Sequence, residues 1–597
     1  MKSVRKYILY GCILTASVGL ASCDKHLDNE NKAVLTDATQ WASEGNADIF
    51  FNDVYDQLPQ MYNDPENLDN FTDDNDAGFY YNSWKYKDGI LDAASSNYGL
   101  WNGAGVGIGT INRHNWPALY TAIRKVNTFM KQITTNKANY SEAWYNKRMD
   151  EARFLRAFHY SLLFQYWGGV PLIFEPQTRS DSAALFTSRS TYAETLDFLT
   201  KTLDTVVNNK YLAVKYNKGQ ADAGRATLGA AQMLKAHVQL VAASPSFNAA
   251  TPPGGPDAAK VAGFGNFDNN RWAAAAASFK KFMDEWGGAG KQYNLFPEDS
   301  TLWFEDNEYN SEVIFDRQQV ANIRGSNYEQ YGGPVYILNT YYTWGNYNPT
   351  QELVDQFFMA NGKPITDPTS GYDPQKPYVG RERRFYKWIV YDGAPYKMDW
   401  MPTTDTIYTR IDKVRPSLNQ IDFASTDVTN TGYYFKKKLN PRNRPASGLS
   451  GANYIYFRYV EVLLGYAEAQ NEAVGPDQSV YDAMNAVRAR VNLPALPAGL
   501  SQTQMRDAIR QERRVELCFE NKRFMDILRW RIAHEVLTKD LTGMKIENSV
   551  PSNNSGVWVY TPVKLNHPHK FVMKQYMHPI PQQAIAQNPK LVQNPGY

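Results

Sequence analysis

Apolar positions along this 597-residue chain fall into two helical stretches separated by a long region without a clear period. In the first stretch Leu119, Tyr120, Ile123, Val126, Phe129 and Met130 recur at helical spacing and predict a helix over 116–133. A stronger helix is predicted over 144–166, where Phe154, Leu155, Phe158, Leu162, Leu163 and Tyr166 make a broad apolar face; Gly168, Gly169 and Pro171 end it. Helices over 192–207, 226–243 and 271–286 follow, the second of them Ala-rich and stopped by Pro245. The second stretch predicts helices over 456–473, 480–491 and 502–530. Several are apolar on more than one face, so they must be sandwiched between neighbours, as in stacked helical pairs. The intervening 291–455 is rich in Gly, Pro, Asn and Tyr, and only short strands such as 313–315 and 433–437 fit it. Residues 246–272, rich in Pro, Gly, Ala and Asn, read as a long loop, and such loops are uncommon in compact domains unless functional or disordered.

The pattern over 502–530 carries a charge problem. Met505, Ala508 and Ile509 set a stripe that continues onto Glu512 and Glu516. Carboxylates on a buried face are costly unless paired, so an internal ion-pair cluster is predicted, with Arg513, Arg514, Arg523 and Arg529 as the available cations. On that reading the glutamates hold the scaffold and take no catalytic part.

The first residues set the compartment. Lys2, Arg5 and Lys6 precede an apolar run over 7–20, too short to span a bilayer and flanked like a signal peptide. Leu20-Ala21-Ser22-Cys23 resembles the lipobox of bacterial lipoproteins, so 1–22 is expected to be removed and Cys23 acylated. Asp24, Asp28 and Glu30 resemble the acidic tract that routes Bacteroidetes lipoproteins to the cell surface, and 23–40 reads as a polar tether. Of the three cysteines only Cys518 then remains in the mature domain, where a core position is expected and no internal disulfide is possible. Loss of the three leading cations turns the formal charge of +2 into a near-neutral mature chain, which argues against a nucleic-acid partner. The 40 tyrosines suit a contact surface, although such rings also fill cores.

Enzyme motifs are missing. The chain has no His-Glu-x-x-His zinc helix and no Gly-x-Ser-x-Gly elbow. Gly103 to Gly109 alternates glycine with other residues and misses the dinucleotide fingerprint, and Gly287 to Lys291 lacks the phosphate-loop spacing. A glycosidase needs two carboxylates that no linear motif reveals, so pattern alone leaves that class open. Asp74-Asn75-Asp76 hints at a calcium loop, but Lys85 stands where a bidentate Glu is required. His567 and His569 read as a surface loop. No metal and no cofactor are expected.

A set of motifs now identifies a resemblance. Glu151-Ala-Arg-Phe-Leu-Arg-Ala-Phe-His-Tyr160 with Tyr166-Trp-Gly-Gly-Val-Pro-Leu172, Gly224-Arg-Ala-Thr227 and Ser311-Glu-Val-Ile-Phe315 resemble landmarks of the RagB/SusD family. So do the run from Tyr456 to Ala469, Glu512-Arg-Arg-Val-Glu-Leu-Cys-Phe-Glu520, Arg523-Phe-Met-Asp-Ile-Leu-Arg-Trp530, Pro579-Ile-Pro581 and Gln593-Asn-Pro-Gly-Tyr597. They keep the family's order from Cys23 to Tyr597. One departure is Asn521-Lys522, where the family usually has Gly-His; Asn tolerates left-handed backbone, so the turn is expected to survive. The resemblance implies a mainly α, SusD-like fold, with tetratricopeptide-like helix pairs and a more irregular, loop-rich region carrying the ligand site. The expected organisation is an N-terminal helical region over 41–290 and a C-terminal region over 291–597, in one integrated unit. It also implies a surface-exposed outer-membrane lipoprotein that binds oligosaccharides and passes them to a SusC-like TonB-dependent transporter, without catalysis. Some relatives handle peptides instead, and a structural lid with no glycan site of its own stays open.

A sugar presents C–H groups on one face and hydroxyls at its edge, so its site needs exposed rings with amides or charges beside them. Two segments have that composition. The first, read as loop, contains Asp73, Asp74, Tyr81, Trp84, Tyr86, Tyr98, Trp101 and Asn102; the second contains Tyr342, Trp344 and Tyr347. Each ring taken singly is more often packed than exposed, and the two clusters taken jointly favour binding. The family resemblance implies that both regions supply ligand contacts.

Overall fold

A computed structural model of the chain describes residues 37–59, 67–77, 82–94, 115–178, 180, 185–255, 260–424, 427–567 and 569–597. Among the described residues, six long helices build the N-terminal part: α1 Glu44–Asp56, α2 Trp116–Thr135, α3 Glu142–Trp167, α4 Tyr192–Asn209, α5 Leu228–Ala243 and α6 Asn270–Trp286. Their starts are written in the sequence. Ser43, Asn115, Ser141, Thr191 and Thr227 each accept a hydrogen bond from the backbone N–H of the first turn, and Glu194 reaches back to Thr191 as a capping box. The C-terminal part adds α7 Tyr459–Val474, α8 Gln478–Arg490, α9 Gln502–Glu516 and α10 Arg523–Arg529.

Contacts between helix ends give their directions. Trp116 meets Trp167 at 5.7 Å while Phe129 meets Trp144 at 6.4 Å, so α2 and α3 run antiparallel. Phe164 packs on Tyr192, and Asn209 donates to Asp150 at the far end, which makes α3 and α4 antiparallel too. The ladder continues through α5 and α6 to α7, where Phe282 lies near Tyr459 and Asn269 donates to the Ala473 carbonyl. Gly465 sits where a Cβ would come within 2.5 Å of the Phe279 ring, so the α6–α7 approach depends on glycine. Helices apolar on several faces are thereby sandwiched, and one apolar core runs from Trp41 to Leu591. Cys518 lies in that core, with its thiol pushed up to about 12 by burial. Among the described residues no helix is long and apolar enough to cross a membrane.

Two predicted helices are revised. The expected 456–473 helix starts only at Tyr459, because Tyr454–Arg458 forms a strand antiparallel to Val313–Arg317. The expected 502–530 helix breaks between α9 and α10, where Phe519 and Asn521 take left-handed backbone at φ +57° and +61°. Asn521 thus supports the turn as expected, and its side chain accepts from the Leu68 N–H at 2.9 Å.

The predicted ion-pair cluster exists, but with other partners. Glu512 and Glu516 pair with Arg384, Arg488 and Arg490, and Arg458 joins Glu516 to Glu312 and Glu520. Arg513 and Arg514 follow Glu512 directly and so point to other helix faces. Arg513 binds Asp526, Arg529 binds Asp526 and Glu468, and Arg514 and Arg523 bind Asp73 and Asp74. Burial alone would raise the Glu516 carboxyl, yet Arg490, Arg458 and Arg384 outweigh it and hold it well below the ordinary carboxylate range.

Candidate ligand-binding site

The two aromatic segments meet at a small ladder. Strand Asn75–Asp76 pairs antiparallel with strand Asn348–Pro349, placing Asn75 opposite Pro349 and Asp76 opposite Asn348. Thr350 extends the junction: its hydroxyl donates to the Asp73 carbonyl at 2.6 Å and its N–H to the Asp74 carbonyl at 3.1 Å. The side chains of Asp73 and Asp74 point the other way, into the scaffold. Arg523 grips Asp73 with two bonds of 2.9 Å, and Arg514 reaches Asp74 at 2.6 Å and Asp73 at 2.9 Å. Burial would raise the Asp73 carboxyl, but the two guanidinium groups hold it well below its usual range; Asp74, with less compensation, is raised by burial. The junction is a charged clamp between the irregular region and helices α9 and α10.

The exposed positions expected of several residues are therefore not found. Asp73, Asp74 and Tyr86 are closed to solvent, the two carboxylates because they face arginines and Tyr86 because its hydroxyl donates to the Gln575 carbonyl inside the core. Trp84 lies on a short helix, Asn82–Lys87, where a loop is predicted; it is half-buried, stacked on His567 at 4.2 Å. His567 and His569, read as a surface loop, are buried, and burial pushes both imidazoles below their ordinary pKa, His569 to about 2. Tyr81, Tyr98, Trp101, Asn102 and Cys23 lie outside the described residues.

The second segment makes a surface. Strand Tyr336–Ile337 pairs with strand Tyr341–Tyr342 as a hairpin. Leu338 and Asn339 at its tip take φ near +52° and +53°, and the Leu338 N–H donates to Asp405 at 2.6 Å, which pins the turn. Beyond the hairpin the chain is held by backbone bonds, Thr343 N–H to Val335, Trp344 N–H to Gln330 and Asn346 N–H to Tyr331, each at 2.8 Å. Gly345, at φ +54°, leaves no room for a Cβ, which would come within 2.4 Å of Val335. The result is an aromatic shelf. Trp344 is 42% exposed, Tyr342 stands edge-on to it at 5.8 Å, and Tyr336 stands edge-on to Tyr342 at 5.5 Å. Tyr341 meets Trp400 edge-on at 4.8 Å, with the exposed Arg444 guanidinium 5.5 Å from the Tyr341 ring. Tyr336, Trp400 and Arg444 are additions that the sequence reading missed.

A small apolar cluster of its own backs the shelf, including Val335, Ile337, Val390, Tyr396, Ile407 and Tyr434. Tyr347, expected beside Trp344, is instead sealed, stacked on Tyr328 at 4.9 Å and meeting Phe519 edge-on. Partial burial, and then the Asp427 carboxylate, push the Tyr342 phenol above its ordinary range, so it stays a neutral donor and acceptor at the rim. Edge-to-face packing keeps flat ring faces available, which suits the C–H face of a pyranose, while the phenols and Arg444 offer partners for hydroxyls. No group of three or more His, Cys, Asp or Glu side chains placed to hold a metal occurs among the described residues.

Comparison with known proteins adds the following. A model described as SusD family matches residues 311–597, and one described as starch-binding associating with outer membrane matches residues 27–228. A SusD-like protein, P25, of Formosa agariphila is 24% identical over 81% of this chain and 79% of its own length. Another from that organism, P2, is 31% identical, but over only 25% of this chain and 26% of its own length. Among solved structures, a SusD-like protein from Bacteroides fragilis NCTC 9343 superposes with a TM-score of 0.72 at 26% identity, covering 94% of this chain and 99% of that one. A laminarin binding SusD-like protein superposes at 0.58 with 20% identity, covering 93% and 100%.

Proposed function

The chain belongs to the RagB/SusD family, and from that premise we propose that it is a non-catalytic, cell-surface glycan-binding lipoprotein. It captures oligosaccharides and delivers them to a SusC-like TonB-dependent transporter, and acyl groups on Cys23 hold it at the outer membrane. The observation that carries the reading is the Trp344 shelf: exposed and half-exposed rings in mutual edge contact, fixed by a hairpin and backed by a separate apolar cluster. Binding sites draw on several convergent side chains held rigidly, and the shelf meets that description. On the same reading Trp84, and from the sequence Tyr81, Tyr98, Trp101 and Asn102, contribute further contacts.

The purified chain should be retarded in native gels containing the right polysaccharide, with laminarin, the glycan bound by one structural relative, among the first tested. Trp344→Ala combined with Tyr342→Ala should abolish the shift while leaving the melting temperature close to that of the parent. A broad panel that causes no retardation, from a chain that still co-purifies with a barrel, would replace capture by a purely structural lid. Retention of peptides in place of polysaccharides would overturn the ligand class.

A further inference from the structure

Residues 248–250, with Phe267, Asn269 and Trp272, from the two ends of the stretch conspicuous in the sequence for its length, line a cavity of about 750 Å³ that the shelf does not use. The opposite wall comes from α7 and α9, so the cavity lies on the helical scaffold, away from the hairpin region. Its volume falls in the range of small-molecule sites.

One group in its wall is out of balance. Arg510, half-buried on α9, lies 4.8 Å from the centre of the Trp530 ring, and among the described residues its guanidinium makes no ion pair and no hydrogen bond. Its neighbours are already committed. Arg506 is matched by Glu472 through two bonds of 2.6 Å. Glu468 already accepts three bonds, from Arg529 and the Trp530 indole N–H. Burial, with little compensation, pulls the Arg510 guanidinium below the ordinary arginine value. A guanidinium does not escape by losing its proton, so this one is a partly desolvated cation with unused donors facing the cavity.

The rest of the wall narrows the ligand. Asn269 and Gln502 spend their amide N–H groups on the carbonyls of Ala473 and Asn471, which leaves their amide oxygens as acceptors for hydroxyl groups. Phe267, 63% exposed, supplies a flat apolar face. The carboxylates of Glu468 and Glu472 beside a single unmatched cation disfavour a dianion such as phosphate and favour one negative charge.

We propose that this cavity is a second binding site, separate from the shelf, that takes a monoanionic sugar acid of the hexuronate class, with its carboxylate on Arg510, its hydroxyls on Asn269 and Gln502, and its apolar face on Phe267. The fork of a guanidinium matches a carboxylate with two parallel bonds, and such charge-assisted bonds are the strong ones.

The test uses the full chain, with D-glucuronate and its neutral counterpart D-glucose as probes at fixed ionic strength, read by saturation-transfer NMR and calorimetry. Glucuronate should bind about tenfold or more tightly than glucose, and Arg510→Gln should weaken it by about tenfold or more, since a charge-assisted pair is lost. Phe267→Ala, at an exposed position that folding does not need, should also weaken it and remains decisive if Arg510→Gln does not fold. Trp344→Ala should leave glucuronate binding untouched, so failure here and failure of the shelf are separate results. Equal binding of the two sugars, no saturation transfer to glucuronate at millimolar concentration, or unchanged binding in both variants would overturn the proposal.

Discussion

The clamp at Asp73 and Asp74 and the shelf at Trp344 come from the two segments with a binding-site composition, yet they end in opposite surroundings. In the clamp, the carboxylates are sealed and pair with guanidinium groups hundreds of residues away along the chain. In the shelf, rings touch mainly at their edges and hydrogen bonds run through the backbone beneath them. The difference separates two tasks. Charge paired out of water fixes where the irregular region sits on the helices, because either partner alone is costly. Rings left partly in water remain available, because their packing consumes little of their faces. Substitution in the clamp should therefore show first as lost stability, and substitution in the shelf as lost binding.

The sharpest break of that contrast lies just behind the clamp. Arg458 sits between Glu312, Glu516 and Glu520, all buried. Arg458→Met removes the cation shared by three buried carboxylates, leaving Arg490, Arg384 and Lys437 to hold them, and should cost about 3–5 kcal/mol, measured by urea unfolding. A loss below about 1 kcal/mol would mean that the existing pairs to Arg490 and Lys437 suffice, and the Arg458 hub would not be what fixes the region. In the clamp itself, a double-mutant cycle on Asp73→Asn and Arg523→Gln should return a coupling of about 1–3 kcal/mol. A coupling near zero would make the clamp a bystander.

Much of this division was legible in the sequence, and the remainder fails for one reason. Helices α2 to α6 follow from apolar periodicity and Gly or Pro stops, and the need for buried charge pairing follows from the stripe reaching Glu512 and Glu516. Their partners were not legible, because Arg384, Arg458, Arg488 and Arg490 reach them only through the tertiary fold. Tyr347 and Trp344 show the same limit at short range. Both stand in one aromatic run, but whether a ring faces water depends on Tyr328 and Phe519 arriving over Tyr347 from elsewhere. Trp400 escaped notice because it reaches the shelf from another hairpin, between strands Ala394–Tyr396 and Asp405–Ile407.

Acid separates the two regions without mutation. Burial would raise Glu520, but Arg458 and Lys437 outweigh it and lower its carboxyl from an ordinary 4.5 to about 2. A depressed carboxyl contributes stability in full above 4.5 and loses it as the pH falls from there through about 2. Glu329 acts in the opposite sense: raised by burial to about 7, it holds a proton that the unfolded chain releases above 4.5, so stability grows as pH falls from 7 towards 4.5. The buried imidazoles of His567 and His569, held below their ordinary value, oppose that gain below 6.5, so thermal melts should change little between 7 and 4.5 and fall steeply below. A steady decline from pH 8 downward would contradict the buried network as the main acid-sensitive element.

The smallest expected change is the most informative about the shelf. Trp344 is the most exposed ring of its group, its backbone N–H is held by Gln330, and the small core beneath it does not include its side chain. Trp344→Ala should thus alter folding stability by no more than about 0.5 kcal/mol, the range of surface substitutions away from special features. Urea unfolding of the variant checks this directly, and amide exchange at Thr343 and Gly345 should stay as slow as in the parent. A loss of several kcal/mol would show that the indole props up the hairpin, and Trp344 would then belong with the clamp as a structural part. Unchanged stability together with lost polysaccharide retardation would keep holding and presenting as separate tasks within one irregular region.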